Sequence, residues 1–407
     1  MVNLAILGAT GSIGQSALNL AASFPDKIKI TALTCAGNVE SLARAIACHH
    51  PKLAAVMTSR GRRQLKTLLV DLGVKPLPKI ICGPEAYLEV AAEAEADLVL
   101  LAIVGNAGLA PTMAAVERGR RVALANKESL VIGGELIMPL ACKTGGQIIP
   151  VDSEHTAIFQ ILGGLKTPAI VRRLILTASG GPFRGWKKDE LKKVTPIEAL
   201  HHPCWNMGPK ITCDSATMMN KGLELIEAHH LFNVSYDNLE VLIHPQSLVH
   251  ALVEYIDGTM SAVMGPTDMR LAIAFALSHP DHWPLLPGPA GTGLTDLSSL
   301  DLPRIAFNQW RGHLTFEEPD YETFKALSLA LAAGRSGGTA PAILTSSNEE
   351  AVHLFLTGAI GFTEITRLVQ QTLETLPSTP LTSIDQILTV ANEARRLTKS
   401  FSLALRC

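Results

Sequence analysis

The stretch Val2-Asn-Leu-Ala-Ile-Leu7, running directly into Gly8-Ala-Thr-Gly-Ser-Ile-Gly14, decides the fold at the start of the chain. A short apolar run reads as a buried strand, and glycines at every third position after it read as a tight turn into a helix. Gln15 to Ser23 is helix-like and Ile28 to Leu33 strand-like, which completes a β-turn-α-β opening. Such glycines let the backbone approach a pyrophosphate, and the helix N-terminus supplies N–H groups and a favourable dipole. Thr10 and Ser12 add hydroxyl donors. The competing reading is a tight turn with no ligand; the strand before and the helix after favour a dinucleotide site. NAD sites usually carry an acid about 20 residues further on. Here that stretch is Thr34-Cys-Ala-Gly-Asn38, with no carboxylate to repel a 2′-phosphate, so NADP is favoured.

Outward from this opening, strand candidates at Leu53 to Met57, Leu98 to Ile103, Val122 to Leu124 and Gln147 to Val151 alternate with alanine-rich helical stretches. That alternation predicts an α/β protein with an N-terminal Rossmann-like, doubly wound parallel sheet over residues 1–150. From 151 to 278 the texture becomes polar, His- and Gly-rich, with strands at Val241 to Ile243 and Leu248 to Tyr255, which reads as a central α/β catalytic domain. Prolines 280, 284, 287, 289 and 303 and glycines 288, 291 and 293 predict a linker over 279–310. Tyr321 to Ala333, Ser347 to Thr357, Phe362 to Leu373 and Ile384 to Ser400 read as helices of a small C-terminal domain, 311–407. Ser383 is the expected N-cap of the last, with Gln386 completing a capping box.

Composition narrows the function classes. The 407 residues are 47% hydrophobic and 18% charged, which excludes a disordered chain, and Lys+Arg 35 against Asp+Glu 37 leaves a net charge of -2 with nothing that demands a nucleic acid. The longest apolar runs, such as Leu98 to Val104, fall far short of the roughly 18 to 20 residues that span a bilayer, so no membrane is expected. Seven scattered cysteines without a C-x-x-C predict reduced thiols, and the N-terminus lacks a basic region followed by an apolar stretch. A cytoplasmic protein is expected.

Three segments carry candidate chemistry. In Val151-Asp-Ser-Glu-His155, Asp152 and Glu154 at i and i+2 would point to one side of an extended chain and want a cation between them, unless both are solvated surface acids. In Ala216 to Phe232, Met219, Leu223 and Ile226 form an expected buried helix face. Asn220, Lys221 and Glu224 cluster on the adjoining polar side, where an ordinary surface pair is the competing reading. Glu227 reads as structural, or as a residue that supports the metal ligands from behind. Were Glu224 to join Asp152 and Glu154, the all-oxygen set would suit Mg²⁺ or Mn²⁺ rather than zinc. Ser179, Ser215, Asn220 and Lys221, with His202, are donors of the kind that bind a phosphate. His49, His50, His229, His230, His279 and His282 read as surface or packing residues.

These segments, with Leu124-Ala-Asn-Lys-Glu-Ser-Leu130, Ser179-Gly-Gly-Pro-Phe183, His202-Pro-x-Trp-x-Met-Gly208, Asp214-Ser-Ala-Thr-Met-Met-Asn-Lys-Gly-Leu-Glu224 and His244-Pro-Gln-Ser247, stand in an order that closely resembles the 1-deoxy-D-xylulose 5-phosphate reductoisomerase family. The resemblance implies rearrangement of that phosphorylated sugar to an aldehyde and its reduction by NADPH to 2-C-methyl-D-erythritol 4-phosphate, the committed step of the non-mevalonate isoprenoid pathway. It implies Asp152, Glu154 and Glu224 as metal ligands, and Ser153 and Lys127 at the ketone and hydroxyl region. Ser179, His202, Ser215, Asn220 and Lys221 would take the phosphate and chain. Gly8, Thr10, Gly11, Ser12, Ile13, Gly37, Asn38, Asn126, Glu128 and Gly208 would meet NADPH. The loop 202–208 would be a lid, with Trp205 and Met207 over the substrate, and the protein a homodimer.

The chain departs from the family pattern in places. Thr267-Asp-Met269 replaces Pro-Asp-Met, Phe324-Lys-Ala-Leu327 replaces Phe-Pro-Cys-Leu, Thr345-Ser-Ser-Asn-Glu349 replaces Asn-Ala-Ala-Asn-Glu, and Asn392 stands for an Asp. Two other classes compete. A non-catalytic NADP-binding regulator would predict losses among Lys127, Asp152, Glu154, Ser179 and Glu224, all of which are present. A metal-dependent aldolase or isomerase without nucleotide would leave the Gly8 to Gly14 turn without purpose.

Overall fold

Strand β1 (Val2–Leu7) is buried from Leu4 to Leu7. Its apolar residues point to both faces, so it needs neighbours on each edge and helices above and below. It receives them from β2 (Ile28–Cys35), β3 (Leu53–Val56), β4 (Lys79–Cys82), β5 (Leu98–Leu101), β6 (Arg121–Leu124) and β7 (Gln147–Pro150). The seven strands pair in parallel in the order β4-β3-β2-β1-β5-β6-β7. Helices α1 (Ser12–Ser23), α2 (Val39–His49), α3 (Ser59–Asp71), α4 (Pro84–Ala91), α5 (Leu109–Glu117) and α6 (Lys127–Thr144) make the crossovers. The order reverses its direction of growth between β1 and β5, and ligands of such sheets bind at the carboxyl ends of the strands beside that switch. The Rossmann-like expectation therefore holds, with β4 an addition that its partly exposed, alternating-free four residues did not announce.

The structure, a computed structural model, describes residues 1–92, 95–205, 207–285, 302–303, 305 and 312–404. Most of the linker expected over 279–310 lies outside the described residues. The chain divides into two compact units, one of Met1–Asn126, Pro139–Thr156 and Asp268–Arg304, the other of Lys127–Met138, Ala157–Thr267 and Ile305–Cys407. The boundaries read from the sequence at 150 and 278 do not coincide with this division. Helix α7 (Ser153–Leu162) follows β7, and further on come β8 (Val171–Ala178), α8 (Lys188–Leu191), α9 (Pro196–Ala199), α10 (Pro209–Thr217) and α11 (Met219–Phe232). Strands β9 (Leu239–Ile243), β10 (Val249–Tyr255) and β11 (Met260–Met264) complete a four-stranded sheet in the order β11-β10-β8-β9, antiparallel except for β8 with β9. Helix α12 (Met269–Ser278) belongs to the first unit, where it packs on α1 and β6. The Arg121 guanidinium donates to the His279 carbonyl at 2.7 Å and Phe24 meets Trp283 at 5.4 Å, which fastens the end of that segment.

Helices α13 (Lys325–Ser336), α14 (Ala340–Leu356), α15 (Phe362–Thr375) and α16 (Ile384–Ala404) form the C-terminal group, with α14 packed against the other three. All four were expected, with differences at their starts. Helix α13 begins at Lys325 rather than Tyr321, because Asp320 turns the chain there by accepting the N–H groups of Glu322 and Thr323. Helix α14 begins seven residues before Ser347, with Pro341 in its first turn, where its missing N–H costs nothing. Ser383 does accept the Gln386 N–H, at 3.2 Å, but the Gln386 carbonyl oxygen reaches Thr382 rather than Ser383, so the capping box does not close. Among the described residues no helix is long and apolar enough to cross a membrane.

The segment read as one helix over Ala216 to Phe232 is broken at Met218, whose φ of 66° is left-handed. Met219, Leu223 and Ile226 are fully buried as expected, each contributing roughly 1.5–3 kcal/mol. Their helix lies close to α13: a Cβ on Gly222 would sit 2.4 Å from that of Ala330. Gly222→Ala is therefore expected to destabilise the protein by about 1–3 kcal/mol through overpacking. A urea midpoint equal to that of the parent protein would show that α11 and α13 can separate freely.

Candidate active site

In the first unit, the Gly8 N–H donates to Thr34 Oγ1 at 3.1 Å, which ties the turn after β1 to the end of β2. A Cβ on Gly8 would lie 2.5 Å from the Ala102 carbonyl oxygen, and one on Gly14 would lie 2.4 Å from that of Gly8. Only glycine fits either place, and Gly8 also has a φ of 91°. Gly11 differs: its Cβ would meet nothing nearer than 3.5 Å, so the chain is open there. Gly11 caps α1 without a side-chain bond, and no acid lies in the first turn of the helix. The N–H groups of that turn are thus presented as an anion site, with Thr10, Ser12 and Ile13 beside them. Asn126 is buried and donates to the carbonyls of Ile103 and Gly105 at 2.6 and 3.0 Å, closing the loop after β5. Asn38 caps α2 by accepting the Ser41 N–H, and a Cβ on Gly37 would meet nothing within 4 Å. Thr34 had no role in the sequence reading; its only signal was a hydroxyl at the end of the second strand.

The Asp152-x-Glu154 pair is not extended. Strand β7 ends at Pro150 and α7 begins at Ser153, so Glu154 stands in the first helical turn and the Asp152 carbonyl accepts the Thr156 N–H at 2.8 Å. The i, i+2 argument from strand geometry is corrected accordingly. Ser153 Oγ donates to Glu154 Oε2 at 2.5 Å. Both acids are half-buried rather than surface-exposed.

In the second unit, Asn220, Lys221 and Glu224 lie together at the start of α11, as the spacing predicts. The surface-pair alternative fails: Lys221 is 4% and Glu224 2% exposed. Glu224 Oε1 accepts from Asn220 Nδ2 at 2.5 Å and from Lys127 Nζ at 3.0 Å, and Lys221 Nζ donates to Oε2. Lys127, the first residue of α6 and itself 7% exposed, is brought to Glu224 across 97 positions of sequence. Removing one partner of such a buried set leaves a charge uncompensated, at a cost of about 3–5 kcal/mol.

The phosphate candidates fall into the same unit. His202 Nε2 lies 3.0 Å from Ser179 Oγ and 3.1 Å from Ser215 Oγ. Its Nδ1 accepts the N–H groups of Cys204 and Trp205 at 3.1 and 2.9 Å. An acceptor at Nδ1 leaves the ring proton on Nε2, so the neutral imidazole is the form this loop selects. Burial also pushes His202 below the usual histidine value. Gly181, at a φ of 69°, passes so close to Ser215 that a Cβ there would lie 2.7 Å from its carbonyl oxygen. Gly208 starts α10 without a side-chain cap, and Thr212 Oγ1 donates to its carbonyl and to that of Met207. Trp205 stands half-buried with its ring 6.4 Å from that of His250.

Two charged residues went unassigned in the sequence. Lys210 Nζ lies 2.7 Å from Asp214 Oδ2 and 3.3 Å from Glu128 Oε1. The i, i+4 spacing of Lys210 and Asp214 was a visible signal. Asp214 Oδ1 also accepts from Asn348 Nδ2 at 2.7 Å, and no sequence pattern announces that bond. Burial alone would push the Glu128 carboxyl up, but Lys210 and the backbone outweigh it and hold it below the usual carboxylate range.

Sheet order, glycine turn and buried donor cluster place the protein among the α/β oxidoreductases that bind a dinucleotide. Within that class the chain belongs to the 1-deoxy-D-xylulose 5-phosphate reductoisomerase family. The model of that family matches residues 4–134, and two models of its C-terminal domains match 148–232 and 264–397. A Chlorobaculum tepidum protein named 1-deoxy-D-xylulose 5-phosphate reductoisomerase is 48% identical over 94% of this chain and 95% of its own. One of the same name from Gloeobacter violaceus is 45% identical over 95% and 94%. Among solved structures, the Zymomonas mobilis reductoisomerase in complex with NADPH superposes with a TM-score of 0.87 at 40% identity, covering 98% of this chain and 99% of that one. A reductoisomerase in complex with NADPH, fosmidomycin and magnesium gives 0.87 at 37% identity, covering 100% and 99%.

The His202 environment generates a pH prediction. A histidine whose folded-state pKa is depressed stabilises the fold fully above the unfolded value, 6.5, and loses that contribution as pH falls through the lowered one. Nitrogen-15 NMR is expected to show the Nε2–H tautomer at neutral pH and a midpoint below 6.5. A midpoint at or above that value contradicts the arrangement.

Proposed function

We propose that this protein converts 1-deoxy-D-xylulose 5-phosphate to 2-C-methyl-D-erythritol 4-phosphate with NADPH and a divalent metal, Mg²⁺ or Mn²⁺, in the non-mevalonate route to isoprenoids. The observation that carries the reading is the convergence of Asn220, Lys221 and Lys127 on the buried carboxylate of Glu224. A plain dehydrogenase has no need of such a cluster. A non-catalytic regulator is not supported, since the full set of acids, lysines and hydroxyls is kept and the matching relatives carry the enzyme's name.

When bound, NADPH supplies a hydride and the metal supplies Lewis acidity to ketone and hydroxyl oxygens. The open, uncapped turn at Gly11 fits a pyrophosphate. Gly8, Thr10, Gly11, Ser12, Ile13, Gly37, Asn38, Asn126, Glu128 and Gly208 are the residues we assign to the nucleotide. Asp152, Glu154 and Glu224 would hold the metal, and a set of carboxylate oxygens without thiolate suits Mg²⁺ or Mn²⁺. Lys127 and Ser153 meet the ketone and hydroxyl region, where Lys127 offers positive charge as the carbon skeleton rearranges. Ser179, His202, Ser215, Asn220 and Lys221 hold the phosphate and chain; neutral His202 offers its Nε2 proton to an anion. The loop 202–208 acts as a lid, with Trp205 and Met207 excluding water from an aldehyde intermediate.

A homodimer is supported by β11, an edge strand whose Met260 is 48% exposed, with Ile256 before it 68% exposed. The seven scattered cysteines accord with a cytoplasmic place of action. The test is NADPH oxidation followed by absorbance on adding 1-deoxy-D-xylulose 5-phosphate with Mg²⁺ or Mn²⁺, repeated after chelation. Turnover that needs both sugar phosphate and metal is expected; none with either metal, in folded protein that binds NADPH, rejects the function. Glu224→Gln is expected to lower turnover roughly 10²-fold or more while NADPH affinity stays unchanged. Retained turnover in that variant rejects the role given to Glu224.

A further inference from the structure

We propose that half-buried Lys210, with the buried Asp214 and Asn348, forms a positioning chain that holds Ser215 and His202 in place for the substrate's phosphate. The inference rests on the phosphate role assigned to those two residues above. Helix α10 has weak ends of its own: Gly208 gives no side-chain cap, and the left-handed Met218 breaks it from α11. Something else must fix the rotation of a helix of nine residues about its axis. Lys210, in its first turn, reaches Asp214 one turn on and Glu128 at the start of α6, next to Lys127. The other Asp214 oxygen accepts from Asn348, which is fully buried in α14. Both oxygens of one carboxylate are thus directed, and Asp214 is 1% exposed, so it has no water to turn toward. The next residue is Ser215, whose hydroxyl faces His202 Nε2 at 3.1 Å. Rotation of α10 by a few degrees would move that hydroxyl while leaving Ser179 where it is. Lys210 touches neither His202 nor Ser215 in these bonds; it acts through Asp214.

A merely structural role would lower stability and leave anion affinity alone, so the readout is binding. Calorimetric titration of the full chain with inorganic phosphate compares the parent protein with Lys210→Met, Lys210→Arg and Asn348→Ala, each checked for folding by circular dichroism. Lys210→Met is expected to weaken phosphate about tenfold and Asn348→Ala about threefold, whereas Lys210→Arg, which keeps the charge, stays within about twofold. Asn348→Ala changes no charge, and it carries the test where Lys210→Met fails to fold. Folded variants that bind phosphate like the parent overturn the proposal. So does weakening in Lys210→Met with Asn348→Ala unaffected, because the ammonium would then act on the anion directly. A parent protein that binds no phosphate overturns it too. One that binds phosphate but shows no turnover of the sugar phosphate counts against the proposed function alone, and the variant comparison still decides the positioning role.

Discussion

A carboxylate sealed from water has to be answered by positive charge and hydrogen-bond donors, and at Glu224 that requirement organises the second unit. Two ammoniums and one amide converge on it. To bring them there, α6 must start where Lys127 can reach α11, and the Met218 break must turn the chain so that Asn220 and Lys221 share one side of the new helix. The apolar side of α11, Met219, Leu223 and Ile226, then has one way to lie, and Gly222 admits α13 close against it. A left-handed methionine costs on the order of 1–3 kcal/mol, and the burial of that face offsets it. Donors held so tightly are fixed in place before any ligand arrives, which is what preorganisation means.

The first unit obeys a steric constraint instead. At Gly8 and Gly14 any side chain would collide with backbone, so the turn after β1 can have one shape. Thr34 holds that shape from the neighbouring strand, and the uncapped start of α1 is the consequence. The turn's shape follows from what cannot fit.

The departures from the family pattern are absorbed locally. Thr345 and Ser347, where an asparagine and an alanine are usual, turn their hydroxyls back onto the carbonyls of Pro341 and Ile343 at 2.8 and 2.7 Å, so neither hydroxyl is left without a bond. Asp268 still caps α12 by accepting the Arg270 N–H although Thr267 precedes it. Asn392 accepts weakly from Arg395, whose stronger bond goes to Glu349. Asn348, retained among these changes, is the one that meets Asp214.

Local pattern reached far in this chain. The apolar period of α11, the i, i+4 relation of Asn220 to Glu224 and the glycine turn are properties of neighbouring residues, and short-range geometry determines them. The helix start at Ser153 was also local: an aspartate at the strand's end with one acid, Glu154, in the following turn is a helix-start signal, which the strand before it masked. What tertiary structure alone decided is which distant groups share a carboxylate. Lys127 on Glu224 and Asn348 on Asp214 join residues 97 and 134 positions apart. Such pairings depend on how helices pack, because burial, not sequence spacing, determines which charges must find one another.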